Sequence, residues 1–339
     1  MGKGLVTTSM QRHSAIAWVL TGILFFQNLT PVMAESFRSS IVPLMRAHAH
    51  NDFKHPRPLW DALEHGFCNI EADIFLQEGR LVVAHKRKEI DPTKTLQALY
   101  LDPLLKLVRK NNGRVFPNGP ILYLFLDVKA EPDLTYLALR QALIPYVEIL
   151  TVFRGSTTTP GAVTIILTGH QARPLIIRDP QRYVALDGQL QDLKGVQIKT
   201  TELDSPEDIE LQTPLLTFAD SHLVPIISAN WNTLFRWNGR NSFPIRERWK
   251  LRKFIQQAHA KGRKIRFWGT PDTEQAWQLL WQENVDLITT DNLAGLQKFL
   301  LKKEPPWHRL KNPIPDISAN LQKWMRAVEI NWNVKIGSR

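Results

Sequence analysis

Residues 69–85 read NIEADIFLQEGRLVVAH, the spacing of a strand whose two faces differ in chemistry. Asn69, Glu71 and Asp73 share one parity, and Ile70, Ala72 and Ile74 share the other. Successive side chains on a strand point to opposite sides, so the two acids leave together from one face. The aliphatic row on the other face calls for apolar packing against helices. Gln77-Glu78-Gly79-Arg80 then has turn chemistry, and it returns a second apolar run, 81–85, beside the first as a hairpin.

The same pattern recurs outward from this stretch. Apolar runs fall at 42–49, 69–75 with its hairpin, 121–129, 163–168, 183–186, 224–228, 264–268 and 285–290. Helical spacing or capping fills most gaps, at 96–110, 134–149, 246–261 and 273–283. Thr270-Pro271 reads as an N-cap followed by a first-turn proline for the last of these. Eight strands alternating with helices in a chain of 339 residues predict a single (β/α)8 TIM-type barrel rather than an open doubly wound sheet.

A barrel places its chemistry at the C-terminal ends of its strands, and the polar residues fall there. His48/His50, Glu71/Asp73 and Asp127/Lys129 are each spaced by two, so each pair projects the same way. Glu71, Asp73 and Asp127 converging in one mouth require a cation to offset their repulsion. All-oxygen ligands suit Mg²⁺, or Ca²⁺, better than zinc. Lys129 would meet an anionic substrate oxygen, and His48 with His85 offers an acid and base pair with pKa values near neutrality. Each residue taken alone has a plainer reading: a solvated strand end for Glu71-Ala72-Asp73, a hairpin surface for His85, an ion pair for Asp127 and Lys129. The combination at strand ends favours the site. His50 is open between base, phosphate ligand and loop cap. Asn230 reads as a substrate contact or a loop start, His170 and Asp291 as loop and cap residues, and Cys68 as a core side chain.

Composition limits the rest. The content of 43% hydrophobic residues supports a full core, and the single cysteine, Cys68, excludes an internal disulfide. Lys3 and Arg12 precede a charge-free apolar run, and Val32-Met33-Ala34 offers a cleavage point, so 1–34 is expected to be a signal peptide. The barrel is expected over 35–301, with a basic extension at 302–339. Export would make the mature chain secreted or periplasmic, and an uncleaved segment would anchor it to a membrane. Net charge is +11, and +9 without Lys3 and Arg12. That balance favours anionic partners such as lipid headgroups. Peripheral contact with an anionic membrane is one reading, and the helix-like tail 318–334 with Trp324, Met325 and Trp332 either lies on such a membrane or, the favoured reading, packs across the barrel bottom. Nucleic acid is not an expected partner.

His48, Glu71-Ala72-Asp73, the hairpin to His85 and Leu126-Asp127-Val128-Lys129 together resemble the glycerophosphodiester phosphodiesterase and phosphatidylinositol phospholipase C superfamily, and the related sphingomyelinase D-like enzymes. AHAHNDFKHPRPLWDALEHGF (47–67), ISANW (227–231) and IRFWGTPD (265–272) look most like the branch named for altered inheritance of mitochondria. The resemblance implies one divalent ion on Glu71, Asp73 and Asp127, with His48 and His85 in acid–base catalysis on a phosphodiester. It also implies a substrate-shaping aromatic at Trp268 and, by the sphingomyelinase D-like pattern, a positioning role for Asn51. The His-Arg-Gly and Glu-Asn-Thr signatures of the glycerol diester enzymes are absent, and Lys86 follows His85 where many members carry Asp.

Two functions are expected from these residues. The first is a secreted metal-dependent phosphodiesterase cleaving a phospholipid-type or glycerophosphodiester-type bond, with a cyclic phosphate as one route. The second is a catalytically silent barrel that binds anionic lipid or cell-wall polymer.

Overall fold

The computed structural model describes residues 41–194 and 220–303. The signal-peptide reading at 1–34 and the tail from 304 onward, with its tryptophans, lie outside the described residues.

Eight parallel strands close into one barrel: β1 (Leu44–Ala49), β2 (Phe67–Gln77), β3 (Leu122–Val128), β4 (Val163–Gly169), β5 (Val184–Gly188), β6 (Ile226–Asn230), β7 (Lys264–Trp268) and β8 (Leu287–Thr290). Each pairs with its sequence neighbours, and β1 pairs with both β2 and β8, which closes the ring. Among the described residues the intervening helices are α1 (Trp60–Glu64), α2 (Asp102–Lys110), α3 (Pro132–Leu143), α4 (Arg173–Arg178), α5 (Trp231–Leu234), α6 (Ile245–His259), α7 (Glu274–Gln282) and α8 (Leu293–Lys303). The predicted fold is therefore the observed one.

Parity along the strands builds the interior in layers. Phe125, Ile166, Ala185, Ile226 and Leu287 pack with Phe153 into an apolar plug, which closes the barrel to water as close-packed side chains do. The next inward-facing residues are polar: His48, Glu71, Asp187, Ser228 and Arg266. The outward parity of β2 and β3 is uniformly buried and apolar, Ile70, Ala72, Ile74, Leu124 and Leu126, which is the helix-facing row expected of parallel strands.

Two details depart from the sequence reading. The N-cap of α7 is Thr273, whose hydroxyl accepts from the Ala276 amide at 3.3 Å, and not Thr270. A three-stranded antiparallel patch, Val152–Arg154, Thr157–Thr159 and Gln181–Arg182, lies outside the barrel sheet. Strands of two or three residues carry no period to read.

The β1–β2 pairing contains a register shift between Leu44 and His48. Asn69 spans it, donating through Nδ2 to the Met45 and Ala47 carbonyls, each at 2.8 Å. Those acceptors would otherwise be buried without partners. Gly66, the turn before β2, has φ +80°, and a Cβ there would sit 2.2 Å from the Val42 carbonyl oxygen. Gly66→Ala is expected to cost about 1–3 kcal/mol, read as a lower melting temperature by circular dichroism.

Candidate active site

Register and shear bring Asp73 and Asp127 side by side at the top of β2 and β3, since the two are direct Cα partners. Glu71 lies two residues below Asp73, so the three carboxylates offer oxygens that all fall within 4.8 Å of one another. Gly169 makes room for the outermost of them: its φ is +69°, and a Cβ would lie 1.9 Å from Asp127 Oδ1. Lys129 Nζ donates to Asp127 Oδ2 at 2.7 Å and approaches Asp73 Oδ2 at 3.0 Å. Asp73 Oδ1 is buried without a hydrogen-bond partner.

That orphaned oxygen tests the fit of a divalent ion. Four carboxylates, Glu71, Asp73, Asp127 and Asp187, face two fixed cations, Arg266 and Lys129, and the surplus of two negative charges is what one divalent cation balances. An all-oxygen donor set with one unsatisfied buried oxygen suits Mg²⁺ or Ca²⁺. The residues present therefore fit the group that the sequence expects.

Glu71 is fixed from below. Arg266 Nη1 donates to its Oε2 at 2.7 Å, Nη2 to Asp187 Oδ2 at 3.0 Å and Nε to Ser228 Oγ at 2.8 Å. The Ser228 hydroxyl in turn donates to Asp187 Oδ1 at 2.6 Å. Burial alone would raise the Glu71 carboxyl, but Arg266 and the His48 hydrogen bond outweigh it and hold it well below the usual range. Burial raises Asp187, opposed by Arg266, and raises Asp127, opposed by Lys129.

The histidines divide by depth. His48 is 0% exposed, with Nε2 at 2.9 Å from Glu71 Oε2 and 2.5 Å from Arg266 Nη1, and with its ring edge-on to Phe125. Burial first, then the Arg266 charge, lowers its pKa to about 4, so the ring is neutral. His50 stands at the mouth, partly exposed, with Nδ1 at 2.9 Å from Asp291 Oδ1 and Nε2 at 4.0 Å from Glu71 Oε1. Burial there is outweighed by the Asp291 hydrogen bond and the Glu71 charge, and its pKa rises. Asn51, in the left-handed region at φ 50°, places its amide 2.9 Å from His50 Nδ1. His85, on the hairpin that extends β2, directs Nδ1 to Asp73 Oδ2 at 2.7 Å. Thus His50 and His85 both use Nδ1 on a carboxylate at the mouth, and His50 Nε2 lies 3.2 Å from the Asn51 side-chain nitrogen.

The far wall is built by β6 and β7. Asn230 and Trp268 are Cα partners there. Asn230 Oδ1 accepts from the Asn232 amide at 2.9 Å and caps α5, while Trp268 is 43% exposed. Sequence reasoning missed Arg266, Asp187 and Ser228, although a signal existed. Arg266 and Ser228 sit two residues before Trp268 and Asn230 on the same inward parity, and Asp187 closes an apolar run as Asp127 does. Asp291, read as a cap, instead holds His50. His170 donates its backbone amide to the Val128 carbonyl, a loop role as read. Cys68 is buried as expected.

The loop carrying His50 hangs on Asp52, a buried carboxylate whose Oδ2 accepts from the Leu59 amide at 2.6 Å and the Tyr100 hydroxyl at 2.9 Å. Burial, tempered by those two bonds, raises its pKa to about 6. The folded state thus binds this proton more tightly than the unfolded chain, so Asp52 adds stability as pH falls from about 6 towards 4. Melting curves should therefore show Asp52→Asn gaining on the wild type at pH 7 and losing that gain at pH 4. Arg266→Met leaves Glu71 and Asp187 buried without a countercharge, and a loss of about 3–5 kcal/mol is expected in urea unfolding.

Residues 35–187 match the AIM6-like phosphodiesterase domain, and residues 264–294 match the glycerophosphoryl diester phosphodiesterase family. The altered inheritance of mitochondria protein 6 homolog of Arthroderma benhamiae is 26% identical over 324 residues, covering 87% of this chain and 96% of its own. Altered inheritance of mitochondria protein 6 of Eremothecium gossypii is 26% identical, over 76% of this chain and 69% of its own. A solved glycerophosphodiester phosphodiesterase from Parabacteroides distasonis is 17% identical with a TM-score of 0.44, over 75% of this chain and 96% of its own. The first match spans β1 to β5 with all three carboxylates and all three site histidines, the second spans β7 and β8 with Arg266, Trp268 and Asp291. Residues 35–187 thus resemble the AIM6-like phosphodiesterase domain, in agreement with the superfamily and the branch that the sequence resembles.

Proposed function

We propose that this chain is a metal-dependent phosphodiesterase cleaving a P–O bond in a phospholipid-type or glycerophosphodiester-type substrate, outside the cytoplasm as the export reading of 1–34 implies. The observation that carries the proposal is the carboxylate set Glu71, Asp73 and Asp127, with the unpartnered Asp73 Oδ1, between two mouth-facing histidines. A Mg²⁺ or Ca²⁺ ion on those residues would supply charge neutralisation at the phosphoryl group. Lys129 is placed to donate to a non-bridging oxygen.

Proton transfer is assigned to His50 and His85 in place of the expected His48 and His85. A general acid or base must reach the reacting proton, and His48 has no exposed surface. His48 instead positions Glu71. With Nδ1 protonated towards the Asp291 carboxylate, Nε2 of His50 is the acceptor nitrogen, oriented by the Asn51 side-chain amide at 3.2 Å, and would act as base once that amide yields to the attacking hydroxyl. Such a base removes the proton of the attacking hydroxyl, and the opposite histidine returns one to the leaving oxygen. When the hydroxyl belongs to the substrate, the product is a cyclic phosphate; when it belongs to water, an open monoester. Trp268 and Asn230 would face the substrate's leaving portion across the mouth.

The test is turnover of glycerophosphodiesters, lysophospholipids, sphingomyelin and phosphatidylinositol by the purified chain, with Mg²⁺, Ca²⁺ or a chelator. Metal-dependent turnover is expected. His50→Gln and His85→Gln should each lower kcat by about 10²–10⁴ with melting temperature retained, whereas His48→Gln should chiefly lower the melting temperature. Folded protein with no turnover on any diester would defeat the proposal, and a silent His50→Gln would return the base to His48.

A further inference from the structure

Helix α6 reads IRERWKLRKFIQQAH, and its two sides are unlike. Leu251, Ile255 and Ala258 are buried against the barrel. On the other side Ile245 is 62% and Trp249 is 69% exposed, one turn apart and so neighbours on one stripe. Arg246, Lys250 and Lys253 flank Trp249, all exposed and with no carboxylate partner among the described residues. Arg248 and Arg252 are engaged with Glu283, and the helix's one acid, Glu247, lies close to the backbone amides of Arg236 and Trp237.

A large exposed aromatic set in unbalanced cations matches a surface that is both apolar at shallow depth and negatively charged. We infer that this face of α6 docks the protein on an anionic lipid bilayer. The inference rests on the phosphodiesterase reading for its purpose, since it brings the mouth to lipid-type diesters. Position supports it. The segment between α5 and α6 packs Gly239 against Pro271, a Cβ on that glycine falling 2.7 Å from Pro271 Cβ, and Pro271 follows Trp268 by three residues. The loop leading into α6 therefore touches the loop that follows Trp268, and Ile245 and Trp249 lie in the first two turns of the helix that this loop opens. Charge argues against other occupants. Residues 304–339 hold six Lys or Arg against three acids, so the chain's own tail is repelled by this face, and a second copy would oppose cation to cation.

The experiment measures partition of the full chain onto phosphatidylcholine vesicles with and without one-third phosphatidylserine. The quantity read is the gain due to the anionic lipid. Trp249→Ala with Lys253→Glu should cut that gain about ten-fold with the melting temperature unchanged. A fluorophore at Gln256→Cys, the next exposed turn, should shift to shorter wavelength on the anionic vesicles, Cys68 being buried. No gain in the wild type, a gain unmoved by the double substitution, or a silent fluorophore overturns the inference; so does capture only by an acidic protein. Turnover of a water-soluble diester by the same double variant separates the two proposals. It should equal the wild type's, and its absence in both, with lipid binding intact, would defeat the catalytic reading and leave the docking surface standing.

Discussion

One guanidinium in the barrel's interior sets the terms for the mouth above it. Arg266 is almost wholly buried, which is costly for any charge, and only its pairing with Glu71 and Asp187 makes the position tenable. Its geometry then dictates its neighbours. Two carboxylates are oriented by a planar fork, Ser228 accepts from Nε, and the Phe125 ring lies beneath the charge with its centroid at 4.6 Å. His48 completes this layer as a neutral ring between the guanidinium and Glu71. Glu71 thereby enters the mouth ionised and immobile, with one oxygen committed downward and the other turned towards His50. The carboxylates above it are met by Lys129 and, at Asp73, by His85, and a divalent ion would offset the negative charge that remains.

Much of this was legible before any coordinates. The period-two pairs at 48/50, 71/73 and 127/129 named both the strand ends and the face, because parity along a strand is a geometric necessity. Glu71, Asp73 and Asp127 do lie together, as Lys129 does with two of them. Depth was not legible. His48 and His50 share a parity, so the sequence treats them alike, yet one step of about 6–7 Å along the strand separates a ring inside the charged layer from a ring at the mouth. Arg266 escaped for a related reason, since its parity with Trp268 marks it as inward-facing but does not say that two acids, a serine and a histidine await it from distant strands. The helix cap at Thr273 and the minor strands near Arg154 turned on single hydrogen bonds and two-residue pairings, below the resolution of any periodic pattern.

The hairpin that follows β2 has a consequence of its own. His85 stands on a return leg that pairs with β2 and bridges through Val82 to Thr95, while every other group of the mouth described here belongs to the barrel ring or to the loops that join it. The spacing between the two mouth histidines is thus set by a lever hinged outside the closed sheet. A change in the Gln77–Arg80 turn, or in the basic segment after His85, can widen or narrow the gap a diester must bridge while every barrel hydrogen bond stays as it is. On the catalytic reading proposed above, selectivity for the size of the leaving group and integrity of the fold would thereby rest on different stretches of the chain, the first free to drift while the second is held.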